Sequence, residues 1–163
     1  MSFTSQSSYA SGIVGQNINN STISNCTSIN QNITSVSYYE SYSSGITCTN
    51  SGSTVLNCVS KNSSITSTSN FDSAYVAGVS SYNFNALVYN CSSSYNNISS
   101  NSVQNSFAGG VFSSNLLSNV QNSHSINNTV NSYSFKSSSY CGSIGGINNI
   151  RFLFLLFFLK NHF

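Results

Sequence analysis

The sequence predicts an all-β chain folded as a parallel β-solenoid of about four coils. Three observations carry that expectation: a pattern returning every 32 or 33 residues, apolar positions that hold their register from copy to copy, and a complete absence of proline. Each copy opens on an aromatic, at Tyr9, Tyr42, Tyr75 and Phe107, with Gly12, Gly45, Gly78 and Gly110 just behind. It continues as Ile23-Ser24-Asn25-Cys26, Val55-Leu56-Asn57-Cys58, Val88-Tyr89-Asn90-Cys91 and Val120-Gln121-Asn122-Ser123, and a fifth copy starts at Tyr140. A fixed period with fixed internal spacing marks one supersecondary unit stacked on copies of itself.

Within a copy the apolar anchors lie about 10, 10 and 13 residues apart, as Ile13, Ile23, Ile33 and Ile46, then Ile46, Val55, Ile65 and Val79. The third anchor recurs as Ile33, Ile65, Ile98 and Val130. No stretch before Asn149 shows a helical apolar face. Ser, Asn, Thr, Val, Ile and Tyr dominate, which disfavours helix and favours strand and turn. Three short strands per copy, joined by polar turns, would then form one coil of a three-sided solenoid, with coils stacked at about 4.8 Å.

Composition fits this picture. The chain has 41 Ser, 26 Asn and 10 Thr but only six charged residues. A low-complexity polar segment would need no register, whereas these copies keep theirs. Proline cannot donate to a sheet ladder, so a chain made of doubly paired strands excludes it; its absence also removes a guard against aggregation.

Stacked copies turn each repeated position into a column. Asn25, Asn57, Asn90 and Asn122 are expected at a bend, where Asn tolerates left-handed backbone, with their amides bonded up the stack. Gly12, Gly45, Gly78 and Gly110 are expected at another corner, where a missing Cβ permits positive φ. Cys26, Cys58 and Cys91 form a column of small residues turned inward, read as free thiols. The aromatic column of Tyr9, Tyr42, Tyr75, Phe107 and Tyr140 is the candidate binding surface: facing outward it offers rings to sugars, facing inward it is core.

The segment Gly12-Ile13-Val14-Gly15-Gln16-Asn17, followed by Thr22-Ile23-Ser24-Asn25-Cys26, resembles the Gly-Leu-Val-Gly…Ile-x-Asn-Cys skeleton of the GLUG-type repeat of surface β-solenoids. Later copies replace the second Gly with Cys48, Ser81 and Ser113. The resemblance runs from residue 9 to about 146. It implies a right-handed solenoid on a secreted or surface-attached, adhesin-like protein, and it brings no catalytic residue with it.

Several functions are disfavoured. A formal net charge of +2, spread over Lys61, Lys136, Arg151 and Lys160, makes no basic patch for a phosphate backbone, so nucleic acid is not an expected partner. Glu40 and Asp72 are the only carboxylates. On adjacent coils they would lie near one another, as a retaining glycosidase requires at roughly 5 Å, but no Lys or Arg is placed to assist; two solvated turn acids are the simpler reading. Five cysteines without a Cys-x-x-Cys, and two His at no zinc-like spacing, give no metal site. No cofactor is expected, and Asn-x-Ser/Thr triplets occur about as often as chance predicts.

Repeats are assigned to residues 1–146 and an apolar tail to 147–163. The run 152–159 is too short for the roughly 20 residues that span a bilayer. It is a cap on the solenoid end, a truncated anchor giving membrane association, or out-of-frame sequence. Met1 to Tyr9 lacks the apolar stretch of a secretory signal, and the chain reads as a piece of a longer repeat protein. The expected function is a non-enzymatic structural or adhesive module, with glycans or further copies of itself as partners through open solenoid ends. The alternatives are a remnant of a solenoid carbohydrate-active enzyme and a self-assembling array.

Overall fold

A computed structural model describes residues 7–149. The apolar run 152–159, Arg151, Lys160 and His162 lie outside the described residues. Among those described there is no helix; twenty-two short strands wind through four coils and the start of a fifth. The first coil is β1 (Ser8–Ser11), β2 (Val14–Ile18), β3 (Thr22–Ser24), β4 (Thr27–Ile29) and β5 (Asn32–Ser37). The second is β6 (Ser41–Ser44), β7 (Thr47–Ser51), β8 (Thr54–Leu56), β9 (Val59–Lys61) and β10 (Ser64–Ser69). The third is β11 (Ala74–Ala77), β12 (Ser80–Phe84), β13 (Leu87–Tyr89), β14 (Ser92–Ser94) and β15 (Asn97–Ser102). The fourth is β16 (Ser106–Gly109), β17 (Phe112–Leu116), β18 (Asn119–Gln121), β19 (His124–Ile126) and β20 (Thr129–Ser134). Strands β21 (Ser139–Gly142) and β22 (Gly145–Asn149) begin the fifth, so strand pairing runs three residues past position 146.

Every strand pairs in parallel with its counterpart one coil away, giving five sheets along the solenoid. The register is that of the repeat: Tyr9 faces Tyr42, Tyr42 faces Tyr75, Ile33 faces Ile65 and Val55 faces Val88. A coil therefore has five strands, not the three inferred from anchor spacing. Ten-residue intervals hide extra corners, because one residue in left-handed backbone turns the chain without a loop. Three such corners recur: Asn20, Gly52, Asn85 and Leu117; Asn25, Asn57, Asn90 and Asn122; Asn30, Asn62, Tyr95 and Asn127.

The slips between 32 and 33 residues have definite places. Corner one holds three residues in the first coil and two thereafter. The turn closing a coil holds three residues after β5 and β15 but four after β10 and β20. In the four-residue turns the last strand residue stitches the extra length down. Ser69 Oγ accepts from Asp72 N at 3.0 Å and donates to Tyr39 O one coil away, and Ser134 bonds likewise to Ser137 N and Gln104 O. In the shorter turns the equivalent Ser37 and Ser102 hydroxyls have no such partner.

The core divides into two columns. Ile46, Val79, Val111 and Ile144 from the bend after the first sheet meet Ile23, Val55, Val88 and Val120 of the third, with Cys58 and Cys91 beside them. Ile33, Ile65 and Ile98 of the fifth sheet meet Val76 and Ala108 of the first. Thus all three anchor columns enter the interior; Ile13, in the first coil, stays 40% exposed.

Candidate functional site

The corners explain why Ser and Asn dominate. At the second corner, φ is 56° at Asn25, 52° at Asn57, 52° at Asn90 and 50° at Asn122. The backbone N–H of the corner residue donates to the coil above, as Asn57 N does to Tyr89 O at 3.0 Å. Two residues later the N–H points to the coil below, as Val59 N does to Cys26 O at 2.9 Å. Reversing the bonding direction strands the N–H between them, which must find a side chain. Ser21 N donates to Ser53 Oγ (3.2 Å), Ala86 N to Ser118 Oγ (2.9 Å) and Cys91 N to Ser123 Oγ (3.1 Å). Ser63 N donates to Asn96 Oδ1 and Asn96 N to Asn128 Oδ1, both at 2.8 Å. The small polar residue after each corner is thus a hydrogen-bond acceptor for the coil beneath it.

The exposed corner amides also bond to one another: Asn57 Nδ2 donates to Asn25 Oδ1 at 3.2 Å and Asn90 Nδ2 to Asn57 Oδ1 at 2.9 Å. A second Asn column, missed from the sequence, is buried. Asn17, Asn50, Asn83 and Asn115 sit inside the second sheet. Asn17 Nδ2 donates to Asn50 Oδ1 (2.9 Å) and Thr54 O (3.0 Å), and Asn115 Nδ2 to Asn148 Oδ1 (3.1 Å). Their spacing repeats faithfully, but among 26 asparagines it did not stand out.

The glycine column differs from the expectation of positive φ. Gly12, Gly45, Gly78 and Gly110 do not have positive φ; the one glycine that does is Gly52, at 56°. They are required by crowding instead. A Cβ on Gly45 would fall well within 3.0 Å of Gly78 O and Ser60 Oγ, and one on Gly78 would meet Gly110 O and Ser93 Oγ. Gly15, replaced in later copies, has only the Tyr9 Cβ near, at 3.9 Å.

Cys58 and Cys91 are buried, Cys26 is half-buried, and all five cysteines are free thiols. Cys91 is held protonated by its bond to Cys58 and by burial; burial also raises Cys26, and it lifts Cys48 from 9.0 to about 11. No group of three or more metal-ligating side chains occurs among the described residues.

The aromatic column lies on the outer face of the first sheet, since strand alternation places Val76 and Ala108 on the core side. Ring centroids are 4.9, 4.8, 4.8 and 5.2 Å apart from Tyr9 to Tyr140, with planes within 7° of parallel. Tyr82 of β12 closes edge-on against Tyr42 and Tyr75. Each interior ring is covered on both faces, and Tyr42 is only 7% exposed; the end rings Tyr9 and Tyr140 are 41% and 37% exposed. A sugar stacks on a ring face, and the interior of this ladder presents edges.

Open faces occur one turn away. Tyr38 and Tyr39, before β6, meet Phe71, before β11. Tyr38 stacks on Phe71 at 5.3 Å, Tyr39 stands edge-on to both, and all three are exposed. Both carboxylates belong to these turns, Glu40 directly before β6 and Asp72 two residues before β11. Glu40 Oε2 accepts the Tyr42 phenol at 3.0 Å, and Asp72 Oδ1 accepts the Ser73 hydroxyl at 3.0 Å. Each spends one oxygen on its own coil. The residues of this patch are neighbours in the sequence, as Tyr38-Tyr39-Glu40 and Phe71-Asp72, but only the stacking of consecutive coil-closing turns brings the two groups together.

Comparison with family models, curated proteins and solved structures finds no match to the chain.

Proposed function

We propose that this chain is a non-enzymatic structural or adhesive repeat module that presents the Tyr38, Tyr39 and Phe71 turn to glycans. One observation carries the reading: those rings are exposed on a coil edge, whereas the interior amides of Asn17, Asn50 and Asn96 are engaged in joining coils. Rings supply stacking surfaces, and the second oxygens of Glu40 and Asp72 supply acceptors for sugar hydroxyls. The GLUG-type resemblance of the first copy supports a place at the cell surface.

Retention of the full chain on insoluble polysaccharides, followed by a glycan array, tests this reading. The expected result is binding without release of soluble sugar. The double substitution Tyr38→Ala and Phe71→Ala should abolish binding while leaving the circular dichroism melt in place. Retention on no glycan, or equal binding by the double variant, would overturn it.

A further inference from the structure

The aromatic ladder has a feature that burial does not explain. Tyr42 is the most deeply covered of its rings, and its phenol donates to a carboxylate, Glu40 Oε2, at 3.0 Å. It is flanked at 4.9 and 4.8 Å by Tyr9 and Tyr75, both with planes within 6° of its own. A phenol in contact with a base, between two parallel phenols, is the arrangement from which an electron and a proton leave together. The electron goes to an oxidant and the proton crosses a hydrogen bond already formed. We propose that the ladder is a one-electron oxidation site centred on Tyr42, with Glu40 as its proton acceptor and Tyr9 and Tyr75 as the rings that share the electron hole.

An external one-electron oxidant, a small inorganic or organic radical, takes one electron from the Tyr42 ring and is reduced. The Tyr42 O–H bond breaks, and its proton forms a new O–H bond on Glu40 Oε2. The products are a phenoxyl radical, a neutral glutamic acid that donates back to it, and the reduced oxidant. Burial, and after it the charge of Glu40, hold the phenol above its ordinary range; loss of the proton alone is thereby suppressed. Phe107, the next ring above Tyr75, lacks a phenol and is harder to oxidise than tyrosine. It ends the run of stacked phenols at Tyr75 and separates Tyr140 from them.

Pulse radiolysis with azide radicals on the full chain tests the proposal, with the radical captured by a nitroxide-forming spin trap and located by tandem mass spectrometry. Of the ten tyrosines, Tyr133 is 61% exposed and Tyr42 only 7%. Trapped product should nevertheless concentrate on Tyr42, Tyr9 and Tyr75. Tyr42→Phe keeps the stack, and should move the product to the exposed tyrosines. Glu40→Gln keeps an acceptor oxygen but cannot take the proton; radical formation in the ladder should slow about a hundredfold, the lower end of what a positioned base contributes. A product distribution that follows exposure, with Tyr133 foremost, or rates unchanged by Glu40→Gln in a chain with native circular dichroism, would overturn it.

Discussion

Leu117 occupies a corner where its counterparts are Asn20, Gly52 and Asn85, with φ at 52°. A branched side chain in left-handed backbone costs about 1 kcal/mol, and at 56% exposure Leu117 recovers little of that by burial. Leu117→Asn should therefore raise stability by about 0.5 to 1 kcal/mol, read as a higher midpoint in urea. Glycines give the opposite test. Gly78→Ala forces a Cβ onto Gly110 O and Ser93 Oγ and should cost about 3 kcal/mol or more, as severe overpacking does. Gly15→Ala meets only the Tyr9 Cβ, at 3.9 Å, and should leave the midpoint nearly unchanged. Equal effects at the two positions would show that crowding is not what selects glycine at the bend.

At the scale of the strand and its corner, the two asparagine columns should differ in weight. Asn50→Ala strips the acceptor from the Asn17 amide and the donor from Leu87 O, in a place closed to water. It should cost about 1 to 3 kcal/mol, two buried hydrogen bonds lost while the Asn17 amide keeps its bond to Thr54 O. Asn57→Gly, at an exposed corner, keeps the left-handed backbone and loses only water-accessible bonds; about 1 kcal/mol or less is expected. This contrast also shows what the sequence could disclose. Coil count, parallel register and the Asn57 corner were readable because aromatic, glycine and apolar positions recur among residues unlike them. The five-strand coil was not, because its two extra corners change residue from copy to copy, one passing from Gly52 to Asn85 to Leu117 and the other from Asn62 to Tyr95. The Asn50 column and the Tyr38–Phe71 patch were hidden differently, the first by an excess of the same residue, the second because it arises only when two successive turns are stacked.

Taken whole, the molecule has few charges, so its response to pH is set by buried weak acids. Cys48 keeps its proton in the folded chain up to about pH 11 against an ordinary 9.0, through burial. A raised value means its contribution is complete below pH 9 and is lost as pH rises through 11. About 2 to 3 kcal/mol of stability should disappear across that window by linkage. Tyr75, raised by burial to about 12 from 10.0, extends the decline upward. Cys48→Ser, which places there the residue already found at Ser81 and Ser113, should flatten the curve between pH 9 and 11; an unchanged slope in denaturant titrations at stepped pH would assign the loss elsewhere.

The one-to-one register between coils reaches beyond stability. Because Ser41 is paired with Ala74, and Tyr42 with Tyr75, cutting out residues 42–74 joins Ser41 to Tyr75 with every ladder still aligned. The shortened chain should fold, with a lower melting midpoint and the same circular dichroism spectrum. In a gene, that excision is a misaligned recombination between neighbouring repeats, and its reciprocal product gains a coil. The architecture thus makes length a heritable variable, adjusted by whole turns at each mispairing, and a lineage can lengthen or shorten the module without inventing a new contact.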